Sequence, residues 1–178
     1  LDMKKWTDRI ETPIQAELIC YDVNGIQIVF GVTEEKQLKM FHFSSAPFDA
    51  ENLCRKPDGM FPEEGMREAQ IKESFQLVQV NFSGYNRPYE KHGNKYIVTA
   101  PGFMLKFDSI SEERNENGDV LRIVQKDTVT GAKVESVMQF FDGIPVARMY
   151  NTVTNEGKED QTLEYISSFS YWGIEKEH

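Results

Sequence analysis

Ala16 to Thr33 reads AELICYDVNGIQIVFGVT, and this stretch decides the fold class. Ala16, Leu18 and Cys20 alternate with their neighbours, as one face of a strand requires. Asn24-Gly25 then supplies the two residues best able to take positive φ in a tight hairpin turn. On the returning strand Ile26, Ile28, Phe30 and Val32 place four apolar side chains on one face. Two strands and an Asn-Gly turn predict an antiparallel hairpin with one buried face.

Outward from this hairpin the same period of two recurs. Glu34-Glu35-Lys36 reads as a turn, and then Leu38, Met40 and His42 share one face with Phe41 and Phe43 on the other. Residues 44–70 lose the rhythm, hold Pro47, Pro57 and Pro62, and predict a long loop with a short helix near 63–70. Strands are expected over 75–82, 96–99, 103–107, 121–126 and 134–141. SEERNENGD at 111–119 reads as a charged turn closed by Asn117-Gly118, DTVTG at 127–131 as a turn with Gly131 at positive φ, and Asp142-Gly143 as another. ARMYNTVTNEGKEDQTLEYISSFSYW, 147–172, looks like two more strands joined by a polar turn. About ten strands linked mostly by hairpins, with no crossover helices, exclude a parallel α/β fold and predict an all-β antiparallel sandwich or barrel. The expected organisation is a polar lead-in over 1–14 and a single β-sandwich domain over 15–178.

Composition narrows the partners. The net charge of -9 argues against a phosphate-binding surface and so against nucleic acid. Twelve Phe and seven Tyr supply the bulk for a core. Cys20 and Cys54 form neither a CxxC pair nor a disulfide framework, which points to a reducing, cytoplasmic compartment. No apolar run is long enough to span a membrane, and no secretory signal opens the chain.

The residues themselves carry little catalytic signal. His42, His92 and His178 are the only histidines, no HxH or HExxH spacing joins them, and no metal or cofactor site is expected. There is no GxSxG elbow and no glycine-rich phosphate loop. Among 29 acids a carboxylate pair at glycosidase spacing arises readily by folding, and no spacing singles one out. Asn81-Phe82-Ser83 matches a glycosylation acceptor by chance. Loop aromatics are the remaining feature, because sugars stack on flat aromatic faces; Phe48, Phe61, Tyr85, Tyr89 and Trp172 are the candidates, weighed against the plainer role of fastening loops to the sandwich.

Two segments carry a resemblance. FQLVQVNFSGYNRPYEKHG (75–93) precedes LRIVQKDTVTGAKVESVMQFFDGIPVARMYNTVTNEGKEDQTLEYISSFS (121–170), in which a strand ends in Asp, a Thr-Gly turn follows, and an Arg- and Asn-bearing strand leads to a second turn. This order resembles the N-terminal domain of glycoside hydrolase family 36, the bacterial α-galactosidases, with Asp127, Thr130, Gly131, Arg148, Asn151, Asn155 and Gly157 in the matching places. The resemblance implies a β-supersandwich of galactose mutarotase-like architecture that this chain does not complete. It also implies a downstream (β/α)8 barrel, ~250 residues in size, carrying an aspartate nucleophile and an aspartate acid/base. The chain would then be inactive alone within an α-galactosidase parent, and its partners would be that barrel, further copies in a homo-oligomer and galactose-containing oligosaccharides. Where the family carries a tyrosine- and glycine-rich loop with an arginine, this chain has MFPEEGMREAQ (60–70), with Arg67 in the arginine's place. Phe61, Arg67, Tyr85 and Trp172 are accordingly the candidate sugar contacts. A stand-alone carbohydrate-binding module is the alternative.

Overall fold

The computed structural model describes residues 3–6, 16–50, 75–85 and 99–171. In chain order these form β1 (Lys4–Trp6), β2 (Ala16–Val23), β3 (Ile26–Thr33), β4 (Leu38–Ser44), β5 (Val80–Phe82), α1 (Ala100–Met104), β6 (Lys106–Asn115), β7 (Gly118–Lys126), β8 (Ala132–Phe141), β9 (Ile144–Asn155) and β10 (Leu163–Ile166). The first sheet has the order β1-β2-β3-β4, the second β6-β7-β8-β9, and a two-stranded ribbon pairs β10 with β5. All pairings are antiparallel, and the fold is an all-β sandwich whose sheets are not closed into a barrel.

The β2–β3 hairpin forms as its residues dictate. Asn24 and Gly25 take φ of 49° and 82°, and Val23 pairs with Ile26 across them. The Asn24 side chain donates to the Phe141 carbonyl at 2.7 Å, which ties this turn to the far end of β8. Ile26, Ile28, Phe30 and Val32 face the second sheet and meet Leu121, Ile123, Val134, Met138 and Phe140 in one core. Each such side chain removed from water contributes ~1.5–3 kcal/mol. Tyr21 donates to Glu112 at 3.1 Å and the Met3 amide, just before β1, donates to Asp119 at 2.9 Å, joining the first sheet to β6 and β7.

Strand β4 departs from simple alternation. Its register shifts between Val29 and Phe30, so that Val29 pairs with His42 and Phe30 with Met40. Phe41 is the extra residue of a β-bulge, and everything after it changes face. Met40 and Phe43 therefore contact the inter-sheet core, while Phe41 joins the outer face and His42 pairs with outward Val29. The expected grouping of His42 with Leu38 and Met40 is corrected by this bulge. On the outer face Cys20, Val29 and Phe41 are buried with Ala16, Leu18, Phe48 and Phe75 around them, so the first sheet is apolar on both sides.

Four further expectations change. The strand expected over 103–107 begins only at Lys106, because residues 100–104 are helical: Thr99 caps the turn by accepting from the Gly102 amide at 3.1 Å, and Pro101 in the first turn favours helix. The charged run 111–115 lies in β6, and only 116–117 turn. Charge is tolerated there because β6 is an edge strand. The 75–82 stretch pairs as a strand only at Val80–Phe82; Phe75 sits at φ 64°, and 76–82 are buried without alternation, with the Phe75 carbonyl accepting from the Met40 amide (2.7 Å) and the Gln79 carbonyl from the Ser167 amide (2.9 Å). Finally, β9 and β10 do not form a hairpin, since β10 pairs with β5, and β10 covers only Leu163–Ile166.

Candidate functional site

The side of the sandwich bounded by β9 gathers the features with functional potential. Five of the seven residues that match the resemblance meet at its lower corner. Asp127 accepts from the Val129 amide (2.9 Å), the Thr130 amide (2.9 Å) and the Thr130 hydroxyl (2.6 Å), which closes the 127–131 turn from within. Gly131, at φ 75°, accepts the Glu156 amide at 2.7 Å through its carbonyl. Asn155 accepts from the Gly157 amide at 2.9 Å and donates to the Glu159 carbonyl at 2.8 Å. This clasp bends the chain away from β9 after Asn155, which is why the polar link leads to the ribbon instead of a hairpin. Asn151 supports the same path by donating to the carbonyls of Ser167 (2.5 Å) and Ser168 (3.2 Å). Arg148 stands apart, exposed on β9 opposite Gln139.

Beside the clasp is a cleft of ≈ 140 Å³ with Phe82, Ala132, Val153 and Leu163 as its apolar floor and Thr154, Asn155 and Gln161 at its rim. Sites for drug-sized ligands run to ~300–1,000 Å³, so this cleft does not take an oligosaccharide.

Along β9, Ala147, Met149 and Val153 lean on the core while Val146, Arg148, Tyr150 and Thr152 face outward. Ile144, Val146 and Tyr150, with Leu163 and Phe169 on the adjoining wall, are each 40–50% exposed. They are five of the seven large hydrophobic residues exposed among the described residues. Phe169 stacks with Phe43 (5.5 Å between centroids, 68°) and approaches Tyr171 (6.2 Å, 37°). These rings meet at an angle and do not offer the coplanar platform on which a sugar stacks.

Of the candidate sugar contacts, Phe61, Arg67 and Trp172 lie outside the described residues, as do Tyr89 and His92. Tyr85 is half-buried against the core. Phe48 is fastened to the outer face of the first sheet: its amide donates to Gln27 at 2.7 Å and its ring lies 5.5 Å from His42. His42 hydrogen-bonds the Ala46 carbonyl at 2.8 Å, and desolvation lowers its pKa. Asn81 is buried and donates to Glu164 at 2.9 Å, so its amide is not open to glycosylation.

Carboxylate pairs do occur, but arginine bridges them. Arg122 holds Glu113 (3.2 Å) and Glu135 (2.7 Å), and Arg114 holds Asp119 (2.9 Å) and Asp142. Hydrogen bonding to Arg122 lowers the Glu113 pKa, the reverse of what a glycosidase general acid needs. Among the described residues no three His, Cys, Asp or Glu side chains converge as metal ligands, and no helix is long and apolar enough to cross a membrane. No family model, curated protein or solved structure matches this chain.

Proposed function

We propose that this chain is a non-catalytic β-sandwich module of an α-galactosidase-like glycoside hydrolase, where it supports a catalytic barrel. The observation that carries the reading is the clasp. Asp127, Thr130, Gly131, Asn155 and Gly157 occupy the matching places of that order across two separate turns, and they come together as one interlocked corner. A match scattered over unrelated positions would carry less weight. The described carboxylates agree with an accessory role, because the close pairs are bridged by arginine.

The test is hydrolysis of an aryl α-galactoside, measured in parallel on the natural full-length polypeptide and on residues 1–178 alone. Turnover by the former and none by the latter is expected. Turnover by the 178-residue chain places a complete active site within it, and absence of turnover from both removes the galactosidase assignment; either result overturns the reading.

A further inference from the structure

We propose that Ser136 and Asn151 hold one internal water molecule between them, on the inner face of the second sheet where β8 meets β9. The proposal is independent of the galactosidase reading. It starts from a break in an apolar row. Along β8 the inward side chains are Ala132, Val134, Ser136, Met138 and Phe140, and all but Ser136 belong to the core. Ser136 is fully buried, yet its hydroxyl has no hydrogen-bond partner among the described residues. On one side β7 presents Ile123 to it, which offers no polar side chain. On the other side it pairs with Asn151, which continues the inward row of Ala147, Met149 and Val153 on β9. Asn151 Oδ1 is likewise shielded from solvent with no hydrogen-bond partner among the described residues.

The two residues lie directly opposite on one sheet face, where β-carbons stand ~4.5–5.5 Å apart. Asn151 cannot answer by turning its amide over. Its Nδ2 donates to the carbonyls of Ser167 at 2.5 Å and Ser168 at 3.2 Å, and a flip would set Oδ1 against both. Oδ1 is therefore fixed as an acceptor that needs a donor. Serine is shorter than the Val134 and Met138 that flank it in the row, so the inner face is recessed at this point. A water meets both demands. It donates to Oδ1, and it shares a hydrogen bond with Oγ, which gives or accepts equally well. Shielded polar atoms that face one another are the usual setting of an internal water. The water would brace the side chain that holds 167–168 to β9. Ser167 in turn exchanges two hydrogen bonds with the Gln79 backbone, both 2.9 Å, so the site lies on the seam between the second sheet and the ribbon.

High-resolution crystallography of the chain tests the proposal directly. An ordered solvent peak within hydrogen-bond distance of both Ser136 Oγ and Asn151 Oδ1 is expected. A direct hydrogen bond between these atoms, or an apolar side chain filling the space between them, overturns the proposal. Magnetic relaxation dispersion of the solvent gives a second reading, since it counts waters held longer than the protein tumbles. Ser136→Val, which puts methyl groups in place of the hydroxyl, should remove the contribution of one such water. Thr152→Val, on the outward face, should remove none. Folding of both variants is checked by circular dichroism. An unchanged count in folded Ser136→Val, or an equal loss in Thr152→Val, overturns the proposal. Should Ser136→Val fail to fold, the wild-type crystal structure decides alone.

Discussion

The backbone of Gly157 occupies the space that a side chain on Gly131 would need: a β-carbon at Gly131 falls 2.5 Å from the Gly157 α-carbon and 2.6 Å from its amide nitrogen. Two turns separated by all of β8 and β9 thus interlock through a pair of glycines, and the 2.7 Å hydrogen bond from Glu156 to Gly131 depends on that closeness.

Gly131→Ala tests this relationship against a matched control. Gly131 and Gly143 have nearly the same dihedral, φ 75° and 78°, but nothing lies within 4 Å of a β-carbon at Gly143. Gly143→Ala should cost only the conformational term, ~1 kcal/mol. Gly131→Ala adds a backbone clash and should cost ~2–4 kcal/mol in urea denaturation. Equal costs would show that the turns do not interlock.

Gly31 makes a second steric prediction. Its β-carbon would fall 2.8 Å from Phe41 Cζ, closer still to Cε2, and 3.1 Å from the Ala16 methyl. The bulge turns the Phe41 ring over this glycine, so Gly31→Ala should destabilise by ~1–3 kcal/mol through overpacking. Gly31→Ala combined with Phe41→Leu should cost less than the sum of the two single changes, a coupling that a double-mutant cycle reads directly.

Tyr21 is held far above the ordinary phenol range, first by burial and then by the neighbouring Glu112. In a spectrophotometric titration one tyrosine should stay silent until alkaline unfolding, and Tyr21→Phe should remove that late step. The substitution forfeits one hydrogen bond and should cost ~1 kcal/mol, because the half-exposed Glu112 regains water.

His42 makes stability depend on pH. Desolvation lowers its folded pKa below the ordinary 6.5, so below that pH the unfolded chain binds the proton more readily than the folded one. Its contribution is complete above pH 6.5 and is lost as the pH falls through that value toward the folded pKa. Chemical denaturation on either side of this window should show wild-type stability falling with acid, and His42→Gln should flatten the slope. An unchanged slope would assign the acid sensitivity to the carboxylates.

Much of the architecture was legible in the residues because it rests on local rules. Asn24-Gly25, Asp127 to Gly131 and Asp142-Gly143 specify their turns, and the alternation of Ile26 to Val32 and Val134 to Phe140 specifies the inner faces. The bulge was not legible, since LKMFHFS is apolar on both alternations and either register buries large side chains. Nor was the fate of β10, because its partner β5 lies some eighty positions earlier and a polar link serves a hairpin and a crossing equally well. Charge misled over 111–115 because an edge strand needs no apolar face toward solvent. Of the loop aromatics, Tyr85 and Phe48 are partly buried and pack against the two apolar clusters. The exposed row on β9 has the alternation of any strand, and only the sheet order shows that no described strand covers its outer edge.

The two-sided burial of the first sheet has a dynamic consequence. Strand β3 lies between two neighbouring strands and between two apolar clusters, with Phe30 on one side and Val29 on the other, both fully shielded. Its amides can meet solvent only when the whole domain opens, whereas no described strand pairs with the outer side of β9. Deuterium uptake should therefore run inward from β9 and reach β3 last. The hairpin that fixes the fold in the sequence would also be the last element to let go of it.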